Sequence, residues 1–438
     1  MENLENNQKK SNMQKVALTA LAGTSIEWYD FFLYGAAAAL IFPTAFFGEM
    51  PPTTALLLSL LTFAAGFIAR PIGGIVFGHF GDKVGRKKTL ISALMLMGVS
   101  STLIGLLPTY AMIGVAAPIL LTSLRFAQGL AIGGQWGGAM LLVTESAPSN
   151  QRGYYGAFAQ AGAPIGVILA NLALIITSAL VSEEFFNTWG WRIPFLASAV
   201  LILISMYIQL NLEDTEAFKA LANNKDTQSN NNIQKSPVIE AIRKYPKRIF
   251  LAAGAFLSVQ VTFYILIAFM LAYGVTSANM ARDDMLAAVL IASAIMVPIQ
   301  FVFSSYSDRH GRKGIFMLGA ILTAIWAFVI FPLVDTGNFY LIVLAISGGL
   351  IFLAMMYGPQ AAFFTELFST EVRYSGATLG YQFGAIVGGA FAPTIAVKLW
   401  TEFDIIWVSA YIALASLLTL ISVMALTETY QSDLNNTD

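Results

Sequence analysis

The chain has no cysteine and only two histidines, His79 and His310. Disulfides and thiolate metal sites are therefore excluded, and a histidine-based metal centre would be short of ligands. Neither a metal nor a cofactor is expected. Charge is scarce as well: 11% of the 438 residues are charged, against 57% hydrophobic, and the net charge is −1. A soluble chain of this length devotes about a quarter of its residues to charge, so the solvent here is largely lipid. A near-zero net charge supplies no field for nucleic acid or for an acidic partner. A membrane enzyme or receptor would need a catalytic constellation or a sizeable extramembrane domain, and neither is visible.

What fills the chain is apolar sequence in long stretches. A bilayer core needs roughly 20 apolar residues per helix. Twelve stretches of that order lie near 16–42, 54–80, 89–107, 115–145, 154–181, 189–212, 249–275, 285–306, 315–334, 339–367, 374–399 and 404–426. The first carries Glu27 and Asp30 and ends in no small-residue cleavage pattern, so it reads as an uncleaved span. The fold class expected is an all-α polytopic membrane protein with 12 transmembrane helices in two six-helix halves. The predicted organisation is a tail over 1–15, six-helix bundles over 16–212 and 249–426, a polar linker over 213–248, and a tail over 427–438. Within the linker, Pro237 to Tyr245 is expected to form a short surface helix.

Basic residues set the orientation. With the N-terminus inside, 19 of the 24 Lys and Arg residues fall on inner segments. Only Arg192, Arg282 and Lys398 fall outside, and Arg70 and Arg125 lie within spans. Both termini are expected in the cytoplasm.

The halves repeat one another. Gly78-His79-Phe80-Gly81-Asp82-Lys83-Val84-Gly85-Arg86-Lys87 follows span two, and Ser304-Ser305-Tyr306-Ser307-Asp308-Arg309-His310-Gly311-Arg312-Lys313 follows span eight. Thr144-Glu145 with Arg152 after span four matches Thr365-Glu366 with Arg373 after span ten, each pair seven residues apart. Matching loops at matching topological positions indicate parallel repeats related by an axis along the membrane normal. The first pattern resembles the signature loop of the major facilitator superfamily. Gly78 permits close helix approach, Gly85 a tight turn, and Asp82 can pair with Arg86 or Arg152. Glu145, Asp308, Arg312, Glu366 and Arg373 extend the same chemistry to a gate that breaks when the halves rock apart. The bland alternative is that the basic residues only enforce topology. Arg70 is assigned to this lock, with the binding site as the equal alternative.

Two carboxylates in the middle of one span are costly unless paired, solvated or protonated. Glu27 and Asp30 are three apart and share a helix face, which suits a proton-carrying site; a structural pair with Arg125 is the alternative. Arg125 can also grip a substrate carboxylate bidentately. Tyr29, Tyr34, Trp136 and Gln160 are further candidates for the binding site. In the C-terminal half, Gln260, Tyr264, Tyr357, Gln360, Tyr381 and Gln382 either line a cavity or bond helix to helix. That half has no mid-span acid, so proton handling is assigned to the N-terminal half.

Glu-Trp-Tyr-Asp-Phe in span one, Gly-His-Phe-Gly-Asp in the loop and Gln-Gly-x-x-x-Gly-Gly-x-Trp-Gly-Gly-Ala in span four are similar to the metabolite:proton symporter branch of that superfamily, most of all to its shikimate-transporter-like members. The resemblance covers essentially the whole chain. It implies alternating-access symport of a proton with a small organic acid or zwitterion, by a monomer in the bacterial inner membrane, surrounded by lipid. Uptake of proline or betaine, or an exporter or uniporter of the same fold, are the alternatives. In one respect the chain departs from the pattern, placing Gln135 where the family usually has glutamate. A glutamine cannot ionise, so proton coupling either fails at that position or rests on Glu27 and Asp30.

Overall fold

A computed structural model describes residues 2–84, 86–213, 237–369 and 372–430. Helices account for all of the regular structure among these residues. The first six long helices are α1 (Glu2–Leu40), α2 (Pro52–Val84), α3 (Arg86–Leu106), α4 (Ala116–Ser146), α5 (Arg152–Leu180) and α6 (Ile193–Glu213). After them, α7 runs over Pro246–Tyr264, through a π turn at Ile265–Phe269, into Met270–Thr276. Then come α8 (Arg282–His310), α9 (Arg312–Val334) and α10 (Phe339–Glu366). A second π turn, Ile386–Ala390, interrupts α11 between Arg373–Ala385 and Ala392–Glu402, and α12 (Ile405–Ala425) closes the array. Among the described residues ten helices are long and apolar enough to cross a membrane, and α3 adds the shorter apolar stretch Ile91–Leu106.

The sequence predicts the first helix from Val16, but α1 already begins at Glu2. Its polar start is rich in good helix formers. Just inside it, Met13, Val16, Ala17 and Ala20 are buried with Val143, Ala147 and Tyr155 at the ends of α4 and α5. That packing carries the helix beyond the apolar stretch. The surface helix expected in the linker is present at Pro237–Lys244.

Close backbone approach between α2 and α4 positions the centre of the molecule. A Cβ on Gly133 would lie 1.9 Å from the Arg70 carbonyl oxygen, and one on Gly129 would lie 2.1 Å from that of Gly66. No side chain fits there, so the two helices touch along glycine, as small-residue seams in membranes do. Arg70 and Arg125 both rise from this seam. Opposite it stands α7, whose most apolar 18-residue stretch is 94% buried. Along that stretch the helix is packed almost wholly against protein, and its exposed residues, Phe250 among them, lie toward its ends.

Candidate functional site

Arg70 is 1% exposed and Arg125 is 0% exposed. Aromatic rings receive both. The Arg70 guanidinium carbon lies 4.4 Å from the ring centres of Phe31 and Phe67. That of Arg125 lies 4.1 Å from Phe31, 4.3 Å from Tyr34 and 4.7 Å from Phe63. Two cations thus share one phenyl ring, an arrangement that gains cation–π attraction but leaves their mutual repulsion uncancelled. Among the described residues no carboxylate pairs with either arginine within 4.0 Å. The Nε and Nη2 atoms of both arginines have no hydrogen-bond partner.

Asp30 is 1% exposed. Ser198 of α6 donates to its Oδ1, Ser101 of α3 bears on the same carboxylate, and Oδ2 has no partner. Asp30 and Arg125 therefore do not touch. Ser101 and Gln128 stand between them: Arg125 Nη1 donates to Gln128 Oε1 at 3.0 Å, and Gln128 Nε2 donates to Ser101 Oγ at 2.6 Å, which leaves Ser101 beside Asp30 at the end of the hydrogen-bonded chain. Glu27, one turn before Asp30, is half-buried.

A small central cavity lies beyond the Trp28 ring on which Arg70 stacks. Trp28 and Phe32 of α1, Ala163 of α5, Gln260, Phe263 and Tyr264 of α7, Tyr357 of α10 and Tyr381 of α11 line it. Of the residues expected to bind substrate, Gln260, Tyr264, Tyr357 and Tyr381 are thus brought together. The space holds about one water molecule, too little for a metabolite. Arg70 reaches the wall: it stacks 5.4 Å from Trp28 and acts electrostatically on Tyr264, Tyr357 and Tyr381.

The other candidates stand apart. Tyr29 donates its hydroxyl to the Pro194 carbonyl at 2.9 Å, turned toward α6. Tyr34 bonds Thr62 at 2.6 Å and touches the site only through its ring over Arg125. Gln160 donates to the Tyr357 carbonyl at 3.2 Å, tying α5 to α10. Gln360 and Gln382 are buried with unpartnered Oε1 atoms, outside the cavity lining. The side chains of Gln135 and Trp136 lie outside the described residues. Sequence reasoning missed Phe31, Phe63, Phe67, Ser101, Gln128 and Ser198. Gln128, one turn after Arg125, was the one with a usable signal.

A second cluster occupies the face that carries the ends of the twelve-helix array, here the termini face. Arg312 grips Glu366 with Nε at 3.3 Å and Nη2 at 3.1 Å, and Asp308 with Nη1 at 2.7 Å. Arg152 approaches Glu366 at 4.0 Å, and Arg373 pairs with Glu145 at 3.2 Å. Asp308 also accepts from the amides of Gly153 and Tyr154, each at 2.8 Å, so a carboxylate of the second half caps α5 of the first. The gate residues Glu145, Arg152, Asp308, Arg312, Glu366 and Arg373 are thus in one place, and Arg70 is elsewhere, among the midplane aromatics. Gly85 and the side chains of Asp82 and Arg86 lie outside the described residues, and of Gly78 only its place in α2 is described.

The family model of the Major Facilitator Superfamily matches residues 20–379. The chain is 40% identical over 431 residues to the inner membrane metabolite transport protein YhjE of Escherichia coli K12, covering 97% of this chain and 96% of that protein. It is 37% identical to the shikimate transporter of the same organism, covering 92% of each. The chain belongs to the major facilitator superfamily, in its metabolite:proton symporter branch. The crystal structure of a D-xylose-proton symporter shares the fold, with TM-score 0.73 at 17% identity, covering 95% of this chain and 98% of that one.

A major facilitator is a transporter and not an enzyme, and it works by parting its halves at one face at a time. Here both faces are bridged. On the termini face Thr144 and Thr365 meet hydroxyl to hydroxyl at 3.2 Å, beside the ion pairs above. On the opposite face Arg282 donates to Ser178 at 2.8 Å and to Asn187 at 3.3 Å, over the Phe186 ring at 4.0 Å. Ser178 in turn donates to Asp283 at 2.7 Å. Among the described residues, then, both faces are bridged and the cavity between them is small.

Proposed function

We propose that this major facilitator is a proton-coupled symporter of small carboxylate-bearing metabolites. The observation that carries the reading is the pair of buried arginines, Arg70 and Arg125, with unpartnered Nε and Nη2 atoms, behind the cavity wall that Arg70 reaches at Trp28. Leaving buried cations unpaired is costly, and a solute carboxylate that accepts from them removes that cost only while bound. Asp30 supplies the proton site: it is fully buried, has an unpartnered oxygen, and is wired to Arg125 through Ser101 and Gln128. Coupling follows if protonation of Asp30 loosens its claim on that wire and releases Arg125 to the solute. With an uncharged Gln135 on α4, Asp30 carries the coupling, assisted by Glu27. The termini face is cytoplasmic on the count of basic residues, with residues 213–248 as the linker on that side.

The test is uptake into proteoliposomes with acid outside and neutral buffer inside, using shikimate and other small acids. Accumulation that collapses with a protonophore supports the reading; equal uptake with and without the proton gradient sinks it.

A second reading concerns the solute's other end. The cavity wall of Trp28, Phe32, Phe263, Tyr264, Tyr357 and Tyr381 carries no acidic residue. Such a ring-lined wall also suits the ammonium of a betaine-type zwitterion by cation–π contact. Stabilisation by glycine betaine but not by shikimate would favour it.

A further inference from the structure

At the root of α7 the sequence reads Arg243-Lys244-Tyr245-Pro246-Lys247-Arg248, and all four basic side chains are exposed. Arg243 and Lys244 form the last turn of the short helix Pro237–Lys244, on which Ala241 is buried and Ile242 is exposed, and Lys247 and Arg248 lie in the first turn of α7. One turn further along, Phe250 is 76% exposed. Exposed Ile242 and Phe250 beside a basic strip give the composition of a membrane boundary: acyl chains against the apolar side chains, headgroups against the cations.

The strip is tied to the gate. Arg248 Nη1 donates to the Leu367 carbonyl at 3.0 Å and lies 5.0 Å over the Tyr245 ring. Tyr245 bonds Ser369 at 3.3 Å and packs edge-on against Phe368 at 6.1 Å. Arg373, which closes the termini face on Glu145, donates to the Phe368 carbonyl at 3.3 Å. Residues 367–369 are thus gripped by the basic strip on one side and by the gate arginine on the other.

We propose that Arg243, Lys244, Lys247 and Arg248 form a docking site for anionic phospholipid headgroups of the leaflet at the termini face, and that its occupancy favours the closed gate by steadying residues 367–369. A headgroup phosphate between the basic side chains cancels their mutual repulsion and orders Arg248 where it already holds Leu367. The site is separate from the solute cavity, so it stands whichever solute is carried. Simple enforcement of topology would need the same charges but no bound lipid.

The experiment uses the full chain in nanodiscs of phosphatidylcholine alone or mixed with phosphatidylglycerol. The triple variant Arg243→Gln/Lys244→Gln/Lys247→Gln is compared with wild type, leaving Arg248 in place to hold Leu367. Association of spin-labelled phosphatidylglycerol is expected to weaken roughly fivefold for each charge removed. The wild type should melt higher with phosphatidylglycerol present, and the variant should lose that gain while melting normally in phosphatidylcholine. Equal responses of the two proteins would overturn the site. So would a gain of the same size from soluble glycerol phosphate in phosphatidylcholine discs, which would make this a site for any anion. Should the triple variant melt low in phosphatidylcholine, Arg243→Gln and Arg243→Lys decide the matter: only the lysine should keep the lipid response.

Discussion

Arg312 on the termini face and Arg125 at the midplane are both shut away from solvent, yet they live in opposite chemical company. Around Arg312 the donors are used: Glu366 takes two, and Asp308 and Ser307 share a third. Around Arg125 the partners are rings, and among the described residues only Gln128 accepts a hydrogen bond. A buried cation with its counter-ions in place is part of the scaffold or of a latch. A buried cation without them marks a place where a charge arrives and departs. The first kind of site is complete in this structure; the second is incomplete in it.

The same substitution at both positions tests that contrast most severely. Arg312→Met takes from Glu366 and Asp308 the cation closest to both and should cost about 3–5 kcal/mol of stability, read as a large fall in Tm in detergent. Arg125→Met removes a charge that had no pair, so Tm should hold or rise, while transport falls on the order of 100-fold for want of the carboxylate's partner. Equal losses of stability in the two variants would abolish the distinction between latch and binding site.

Asp30→Asn asks whether the midplane acid carries the proton. Net uptake against a gradient should disappear, while exchange of labelled for unlabelled solute, which requires no net proton movement, should continue. Normal accumulation by this variant would reduce Asp30 to a structural role. A smaller effect is expected from Glu366→Gln, which weakens the grip on Arg312 without removing its shape. The chain has no cysteine, so Thr144→Cys and Thr365→Cys can be introduced in an otherwise silent background. Their cross-link should form readily in the parent and fall several-fold with Glu366→Gln, because the termini face opens more often. An unchanged yield would mean that the ion cluster does not hold that face shut.

The two regions were not equally legible in the sequence. The termini-face cluster was announced twice, by the repeated Asp-x-x-x-Arg loops and by the equal Glu-to-Arg spacings, because a local motif needs only its own neighbourhood. What no spacing could show is that Asp308 crosses between halves to cap Gly153 and Tyr154. The midplane charges stood out for their cost in lipid, and the twelve helices followed from apolar length alone. Their company did not. Phe31, Phe63 and Phe67 look like any lipid-facing phenylalanine until the glycine seam between α2 and α4 brings both arginines onto them. Ser198 is an ordinary serine in an apolar span until α6 packs beside α1. Tyr29 shows the converse: it was a candidate for the binding site, but the helix turns it toward Pro194.

The finest test of the comparison lies in the wire that replaces a direct ion pair at the midplane. Gln128→Leu cuts the bond from Arg125 and the bond to Ser101, and Ser101→Ala removes the hydroxyl between Gln128 and Asp30. The neutral bond between Gln128 and Ser101 contributes about 1 kcal/mol and the charge-assisted bond from Arg125 about 1.5–3 kcal/mol, so the loss in transport at a fixed pH should be roughly fivefold for Ser101→Ala and larger for Gln128→Leu. A relay differs from mere packing in what else moves. If Asp30 speaks to Arg125 through these groups, both variants should flatten the dependence of uptake on external pH while leaving solute exchange near the parent's rate. If they are only filler, uptake and exchange should fall together and the pH profile should keep its shape. The titratable and charged groups that act on Asp30 are Tyr29 on its own helix and Arg125 on α4, with Arg70 of α2 beyond Arg125. From the described residues of α3 and α6 only the hydroxyls of Ser101 and Ser198 reach it. A flattened profile in the variants would therefore trace to the Ser101–Gln128 path, since the substitutions leave each of those other groups in place.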